Sequence, residues 1–494
     1  MVLMADSALK TKTTRSLFWS FVDKFGQQIL NFASMLVLMN IVAPEAYGLI
    51  GSLAVFTAFS TILIDSGFGR ALLNRKEISA TDYSSVFYFN AGLSVFLYLI
   101  LFFLAPFIAG LFNAPALVPV SRVIFLALVF NAAGSIHYTI LTKKANFREI
   151  TKINMWALLI ADIVAIAMGL MGHGVWALVA QMVLFAFFRT MLLWFSTSWK
   201  PITEFSLPRL KSFFGFSYKL MLCSMISTTV NNIYPSLIAV FYPMNHVAFF
   251  NQAKKYQEIP FLTLSNTFRS VAMLILSEIN DQTERLKRVV RKLVKTIAFL
   301  SFPVGLMMIL VAEPLFYLFF QEKWLASVPY FQVLTLAGML LPFTFIFNEL
   351  FIAKERSAFF LGLEVVKGGV LILLIVLLFP KGIMGLAASW VVYMVITLIL
   401  SIIFSGKVIH YSLSEFVKDT FPYLFMAVIS AAVSCFSTRY VTNNLLFVLV
   451  NPVLIALLYI ALCKLFKLEM TKEIDEWFAS RKKSEKIPNN TKKK

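Results

Sequence analysis

The chain has 494 residues, of which 59% are hydrophobic and 14% charged, with a formal net charge of +19. A water-soluble protein of this length carries about a quarter of its residues charged, so a soluble globule is excluded. Cys223, Cys435 and Cys463 are far apart in apolar segments and the four histidines are scattered, so no disulfide framework, CxxC pair or metal site is expected.

Apolar runs near the length of a bilayer-spanning helix recur from one end of the chain to the other, without the alternation of barrel strands. The first begins near Leu17. It is too long and wrongly flanked for a cleaved signal peptide, and so is expected to remain as a spanning helix. About fourteen spanning helices are predicted. In order they fall near 16–42, 49–73, 84–111, 119–141, 154–171, 174–196, 212–241, 246–276, 293–318, 328–353, 358–380, 383–405, 419–438 and 444–464. Basic residues gather in alternate loops, "NRK" (74–76), "KKANFREITK" (143–152), "RLKRVVRKLVK" (285–295) and the tail. The intervening loops "APEAY", "NAPALVP", "GHG" and "YPMNH" have none. This is a positive-inside pattern rather than a nucleic-acid footprint; it predicts cytoplasmic termini and an even number of crossings. The tail from Lys467 begins as an interfacial helix and ends as a basic, disordered stretch.

Two halves resemble one another. "APEAYGLIGSLAVF" (43–56) and "YPMNHVAFFNQAKKY" (242–256) each follow a long helix with a Pro-led turn, and "GHGVWALVAQMV" (172–183) matches "KGIMGLAASWVV" (381–392). The common spacing predicts a parallel duplication. The expected organisation is an N-terminal lobe at 1–196, a cytoplasmic linker at 197–211 and a C-terminal lobe at 212–406. Two added helices follow at 407–466, then a basic cytoplasmic tail at 467–494. The fold class is an all-α polytopic membrane protein of two pseudo-symmetric six-helix lobes plus two C-terminal helices.

Polar stripes occupy matching helices of the two halves. Helix one carries Asp23, Gln27 and Asn31 at i, i+4, i+8; helix two carries Thr57, Thr61 and Asp65. Helix seven repeats the device with Lys219, Cys223, Ser227 and Asn231, and helix eight carries Asn251, Lys254, Lys255 and Glu258 before Pro260. A charge at mid-membrane costs about 3 kcal/mol, so the stripes are expected to face a wet cavity or each other. Snorkelling at the cytoplasmic interface is the competing account for Asp23, Lys24 and Lys219. Arg70, beside Gly67 and Gly69, and Arg269 in "LSNTFRSVAML" would stand near the inner mouth, one per half. They suit either phosphate, through a forked guanidinium, or lipid headgroups. Asp162 in "LLIADIVAIAM" is either a structural hydrogen-bonding group or an ion site; Arg189 in "LFAFFRTML" is similarly open. Prolines 235, 260, 303 and 342 are expected to bend second-half helices.

The stretch "WSFVDKFGQQILNFASMLVLMNIVAPEAYGLIGSLAVFTAFSTILIDSGFGRALL" followed by "DYSSVFYFN", then "GHGVWALVAQ", "WKPITEFSLPRLKSFFGFSYKL" and "EKW", resembles the polysaccharide transporter family of the MOP superfamily, in its colanic-acid-exporter-like branch. The resemblance extends to about residue 410 and fades in the last two helices. It implies two helical lobes around a central cavity and a non-enzymatic flippase of the bacterial inner membrane. Such a flippase would carry an undecaprenyl-diphosphate-linked oligosaccharide to the periplasmic leaflet for O-antigen, capsule or exopolysaccharide synthesis. Membrane lipids, polysaccharide polymerase and chain-length machinery are its candidate partners, and nucleic acid is not. At helix eight the family's Gly-x-Tyr-x-Arg-Ala-like segment is replaced by "VAFFNQAKKY", where Lys254 and Lys255 stand a turn beyond the missing arginine. No catalytic motif is implied. Expected substrate-binding residues are Arg70, Lys219, Lys254, Lys255, Arg269, Asp23, Gln27, Asn31, Asn231 and Asn251. Asp65, Asp162 and Glu258 are candidates for coupling to sodium, protons or membrane potential, and no cofactor is expected. The rival readings are a MATE-like drug exporter, which would favour carboxylates over cations, and a membrane enzyme of polymerisation or ligation, which would need larger outer loops.

Overall fold

Glycine and proline punctuation divides the apolar chain into helices. The structure, a computed structural model, describes residues 2–65, 68–75, 78–279, 282–353, 357–473 and 475–476, and among these there is no strand. A first unit, Met1–Asn251, holds α1 (Val2–Ile41), α2 (Pro44–Ser52), α3 (Ala54–Asp65), α4 (Phe68–Asn74) and α5 (Ala80–Leu111). It continues through α6 (Leu117–Ile124), α7 (Leu126–Lys143), α8 (Phe147–Leu170), α9 (Val175–Ser196) and α10 (Leu207–Phe241). Helix α11 (Met244–Glu278) leads into the second unit, Gln252–Lys494. There follow α12 (Thr283–Phe320), α13 (Val328–Ala353), α14 (Ser357–Leu378), α15 (Gly382–Ile409), α16 (Leu413–Ser437) and α17 (Asn444–Leu465).

The described helices overlap the expected ranges, that of 49–73 being divided among α2, α3 and α4. Ten stretches of the described residues are by themselves long and apolar enough to cross a membrane, one of them, Gly362–Ile409, covering most of α14 and all of α15. Helices α1, α10 and α11 are not among the ten, and all three carry polar residues of the stripes. Large apolar side chains such as Phe103, Phe107 and Phe195 are exposed, as a lipid-facing exterior requires. Prolines 235, 260, 303 and 342 all lie inside helices.

Each unit repeats one internal packing order. In the first, α5 packs on α7, α7 on α9 and α9 on α8. In the second, α12 packs on α13, α13 on α15 and α15 on α14. The resembling sequence motifs take equivalent places: Gly174 (φ 55°) precedes α9 and Gly382 (φ 74°) opens α15, both in a backbone region that side chains disfavour. The Pro-led turns also match, with Pro44 in the first turn of α2 and Pro243 immediately before α11. In the first unit these two helix starts approach closely. A β-carbon on Gly48 would lie 1.8 Å from the Met244 carbonyl oxygen.

The basic run 285–295, expected as a loop before a helix starting near 293, is instead the first turns of α12. Four of its six charges are met by acids from elsewhere in the unit. The Arg291 guanidinium donates from Nε and Nη2 to the two Asp419 oxygens, each at 2.8 Å. Lys287 pairs with Glu415 at 2.9 Å, Lys292 with Glu473 at 2.8 Å, and Lys295 with Asp419 at 3.6 Å and with Glu469. The buried Tyr411 hydroxyl donates to Asp419 at 3.1 Å; burial, then the neighbouring carboxylate, pushes its pKa up, so it serves as a neutral donor. Asp419 therefore fastens α16 to α12, alongside an apolar core that includes Ile297, Phe302, Tyr423, Met426 and Tyr459.

Two stability measurements follow from these contacts. Gly48→Val is expected to lower the melting temperature of the purified protein well beyond Gly92→Ala, where an added β-carbon meets nothing within 4 Å. Asp419→Ala leaves the buried Tyr411 hydroxyl and the partly exposed Arg291 without their carboxylate and is expected to cost about 1–3 kcal/mol of unfolding free energy, read by denaturant titration in detergent.

Candidate functional site

In the first unit the stripe on α1 is bonded along its own helix. The Gln27 amide donates to Asp23 Oδ1 at 2.9 Å, and the Asn31 amide donates to the Gln27 carbonyl at 2.8 Å. Asp23 also accepts from the Asn154 amide of α8 at 3.1 Å and 3.3 Å, while Asn154 Oδ1 accepts from Arg189 Nε of α9 at 3.0 Å. One asparagine thus relays between an acid and a base that do not touch. The Arg189 guanidinium also stands 5.0 Å from the Tyr138 ring centre. One level along the same helices, Asp162 is 6% exposed and accepts from Gln181 Nε2 at 2.7 Å, and the same nitrogen donates to Ser34 at 3.1 Å. Its partner comes from the next helix.

Asp65 ends α3, and its carboxylate lies against Gly69 of α4, where an added β-carbon would stand 3.1 Å from Oδ1. Asp65 and Arg189 both line a cavity of about 570 Å³ within the first unit. Asn251 reaches Gly51, where a β-carbon would lie 2.6 Å from its amide nitrogen. The backbones of Arg70, Lys219 and Asn231 are helical, in α4 and α10, but their side chains lie outside the described residues.

In the second unit the two lysines of α11 separate. Lys254 is 7% exposed, its ammonium 4.4 Å from the centre of the Trp390 ring of α15 and 3.9 Å from Glu258 Oε1; Lys255 is exposed. Arg269 Nε lies 2.5 Å from Glu349 Oε1 of α13, a carboxylate only 3% exposed. Lys367, equally buried, pairs with Glu364 at 2.9 Å. Among the described residues no cluster of His, Cys, Asp or Glu could hold a metal ion.

Sequence comparison gives these positions a family. Residues 37–329, more than half of the chain, match the family described as "Polysaccharide biosynthesis protein". The chain belongs to that family. It is 25% identical over 409 residues to an "Uncharacterized membrane protein in cps region" of Klebsiella pneumoniae, covering 81% of this chain and 83% of that one. It is 23% identical to the "Succinoglycan biosynthesis transport protein ExoT" of Rhizobium meliloti (strain 1021), over 67% of each. Its fold is shared with a lipid II flippase, MurJ, in an inward closed conformation: TM-score 0.76 at 15% identity, over 92% of this chain and 99% of that one. An inward-facing multidrug resistance MATE transporter of the MOP superfamily follows at TM-score 0.60 and 18% identity, covering 79% and 96%. The chain is thus a multi-helical member of this polysaccharide biosynthesis family with the fold common to MurJ and MATE proteins.

For this family member the stripe residues were legible but several of their partners were not. Asn154, Gln181 and Ser34 join α8, α9 and α1; Glu349 and Trp390 meet charges of α11. The available signal was a polar residue isolated in an apolar run, as with Gln181 in "LVAQMV". A double-mutant cycle on Arg269→Ala and Glu349→Ala is expected to return a coupling of about 0.5–3 kcal/mol in unfolding free energy, since the pair is in contact.

Proposed function

We propose that this protein is a flippase that moves an undecaprenyl-diphosphate-linked oligosaccharide from the cytoplasmic to the periplasmic leaflet of a bacterial inner membrane. Its passengers would serve surface-polysaccharide synthesis, and both its termini would be cytoplasmic. One observation carries the reading: a chain matching a polysaccharide biosynthesis family over residues 37–329 has the fold of a lipid II flippase. Physical chemistry supports it. A diphosphate and a cluster of sugar hydroxyls cannot enter hydrocarbon without losing their hydrogen bonds, so they need a polar path while the carrier tail stays in lipid. Lys254, Lys255 and Arg269, with Arg70 and Lys219, are the cations assigned to the diphosphate; Asp23, Gln27, Asn31, Asn231 and Asn251 are the polar groups assigned to the headgroup path.

Alternating exposure of two duplicated lobes, 1–196 and 212–406, would carry the headgroup across. Asp162 is the coupling residue in this scheme. Its partners are the neutral groups of Gln181 and Ser34, so a proton or sodium ion there would change the charge balance of α1, α8 and α9 together. Asp65 and Glu258 are the secondary candidates.

Proteoliposomes loaded with a radiolabelled undecaprenyl-diphosphate oligosaccharide, probed by periodate access to each leaflet, test this function. The expected result is protein-dependent transfer, reduced at least about tenfold in the combined Lys254→Ala, Lys255→Ala, Arg269→Ala variant, the loss of more than one charge-assisted hydrogen bond. Asp162→Asn is expected to abolish the response to an imposed proton or sodium gradient. Absence of transfer by folded protein, or ethidium efflux in its place, overturns the flippase reading; full transfer by the triple variant overturns the cation assignment.

A further inference from the structure

Helix α5 contains Pro106, and a proline has no N–H to give to the carbonyl four residues back. That carbonyl belongs to Phe102. A donor for it comes from the neighbouring helix, where Arg122 Nε of α6 reaches the Phe102 oxygen at 3.3 Å. The guanidinium also lies over the Phe102 ring, 4.3 Å from its centre. An arginine thus repairs a break in the backbone ladder, as a membrane helix interrupted by proline requires. A neutral donor would make the same repair without bringing a charge into hydrocarbon, so the repair leaves the charge unaccounted for.

The Phe102 carbonyl uses one of five guanidinium N–H groups. Among the described residues no carboxylate pairs with Arg122, and its terminal nitrogens make no further hydrogen bond. Its place on the helix points to what they meet. Leu117, Val120, Ser121 and Ile124 form the buried face of α6, whereas Pro119 is exposed and Arg122 half-buried. Arg122 stands about 7.5 Å along the axis from the start of α6 at Leu117. Helical side chains lean toward the N-terminus, here back toward the end of the bundle, so the guanidinium can snorkel to headgroup depth. Beside it the exposed Phe103 ring lies 5.7 Å from that of Phe102, and Leu99 and Phe107 continue the same exposed row of α5.

A ligand matching both features carries anionic oxygens for the two terminal nitrogens and apolar chains for the row. We propose that Arg122 is the phosphate site of a membrane phospholipid seated against α5 and α6, with Nη1 and Nη2 donating to its phosphate oxygens and its acyl chains along Leu99, Phe103 and Phe107. A forked guanidinium suits that phosphate geometry. The orientation proposed above would put this lipid in the periplasmic leaflet; the contact itself does not depend on that reading or on any passenger.

Full-length protein in detergent, titrated with dioleoylphosphatidylglycerol under native mass spectrometry, tests the site. Arg122→Gln keeps a donor and removes the charge. It is expected to hold one lipid fewer per chain where the wild type is saturated, a weakening of that site by about tenfold or more. Dioleoylglycerol, with the same chains and no phosphate, is expected to bind both proteins alike, and glycerol 3-phosphate is expected not to displace the lipid. Pro106→Ala restores the missing N–H, so adding it to Arg122→Gln is expected to recover melting temperature and not lipid. Should Arg122→Gln alone fail to fold, the double variant compared with Pro106→Ala decides in its place. Equal phosphatidylglycerol occupancy with and without the arginine overturns the proposal. So does recovery of occupancy in the double variant, which would leave Arg122 a repair residue only. Displacement by glycerol 3-phosphate would make this a free-phosphate site, and tighter binding of undecaprenyl phosphate would assign it to the carrier; either overturns it as well. No transfer is measured, so failure here leaves the flippase reading untouched.

Discussion

An ionised side chain in hydrocarbon must find its compensation inside the protein, because water is not there to supply it; the cost of failing is about 3 kcal/mol per charge at the membrane centre. The arrangement of α1, α8 and α9 follows from that requirement. Asp23 and Arg189 cannot both be left bare, and Asn154 between them donates to one and accepts from the other. Gln181 performs a related service for Asp162, holding it against Ser34 of α1. Three helices are thereby pinned in rotation as well as in position. A one-residue slip of any of them would turn a charge toward lipid.

The second unit meets the same requirement differently. Its charges are compensated by direct ion pairs: Arg269 with Glu349, Lys367 with Glu364, Arg291 with Asp419. Direct pairs resist separation, since removing one partner strands the other in a low-dielectric setting. Amide relays are softer, because a hydroxyl or a water can take over one arm of an asparagine without leaving a bare charge. The packing order is duplicated between the units while the polar chemistry placed upon it is not.

How much of this was legible in the sequence depends on the range of the interaction. The i, i+4 spacing of Asp23, Gln27 and Asn31 is local, and the first two do bond side chain to side chain as the spacing implied. The paired turns at Gly174 and Gly382 were legible because a positive φ leaves a glycine behind in both copies. Arg269 could be read only as a free cation near a helix end, because its partner Glu349 is eighty positions away. The basic run at 285–295 read as a loop for a related reason: the acids that let it be helical, Glu415, Asp419, Glu469 and Glu473, lie far downstream. Local patterning fixes which helix faces are polar. Only the fold says which polar groups are consumed by one another.

That distinction bears on where a guest could bind. A charge already paired must give up its partner to hold a guest, so the stripes alone do not fix where one sits. Groups with unspent capacity do. In the second unit Lys255 is an exposed cation, unlike its neighbour Lys254, which is buried against Trp390. In the first unit the small polar residues of α5 and α7 are largely spent on the protein itself: Ser135 and Thr139 donate to carbonyls of their own helix, and the Asn90 amide donates to Ser135 Oγ at 3.5 Å. A serine or threonine bonded to the carbonyl three or four residues back contributes to helix polarity without advertising a site.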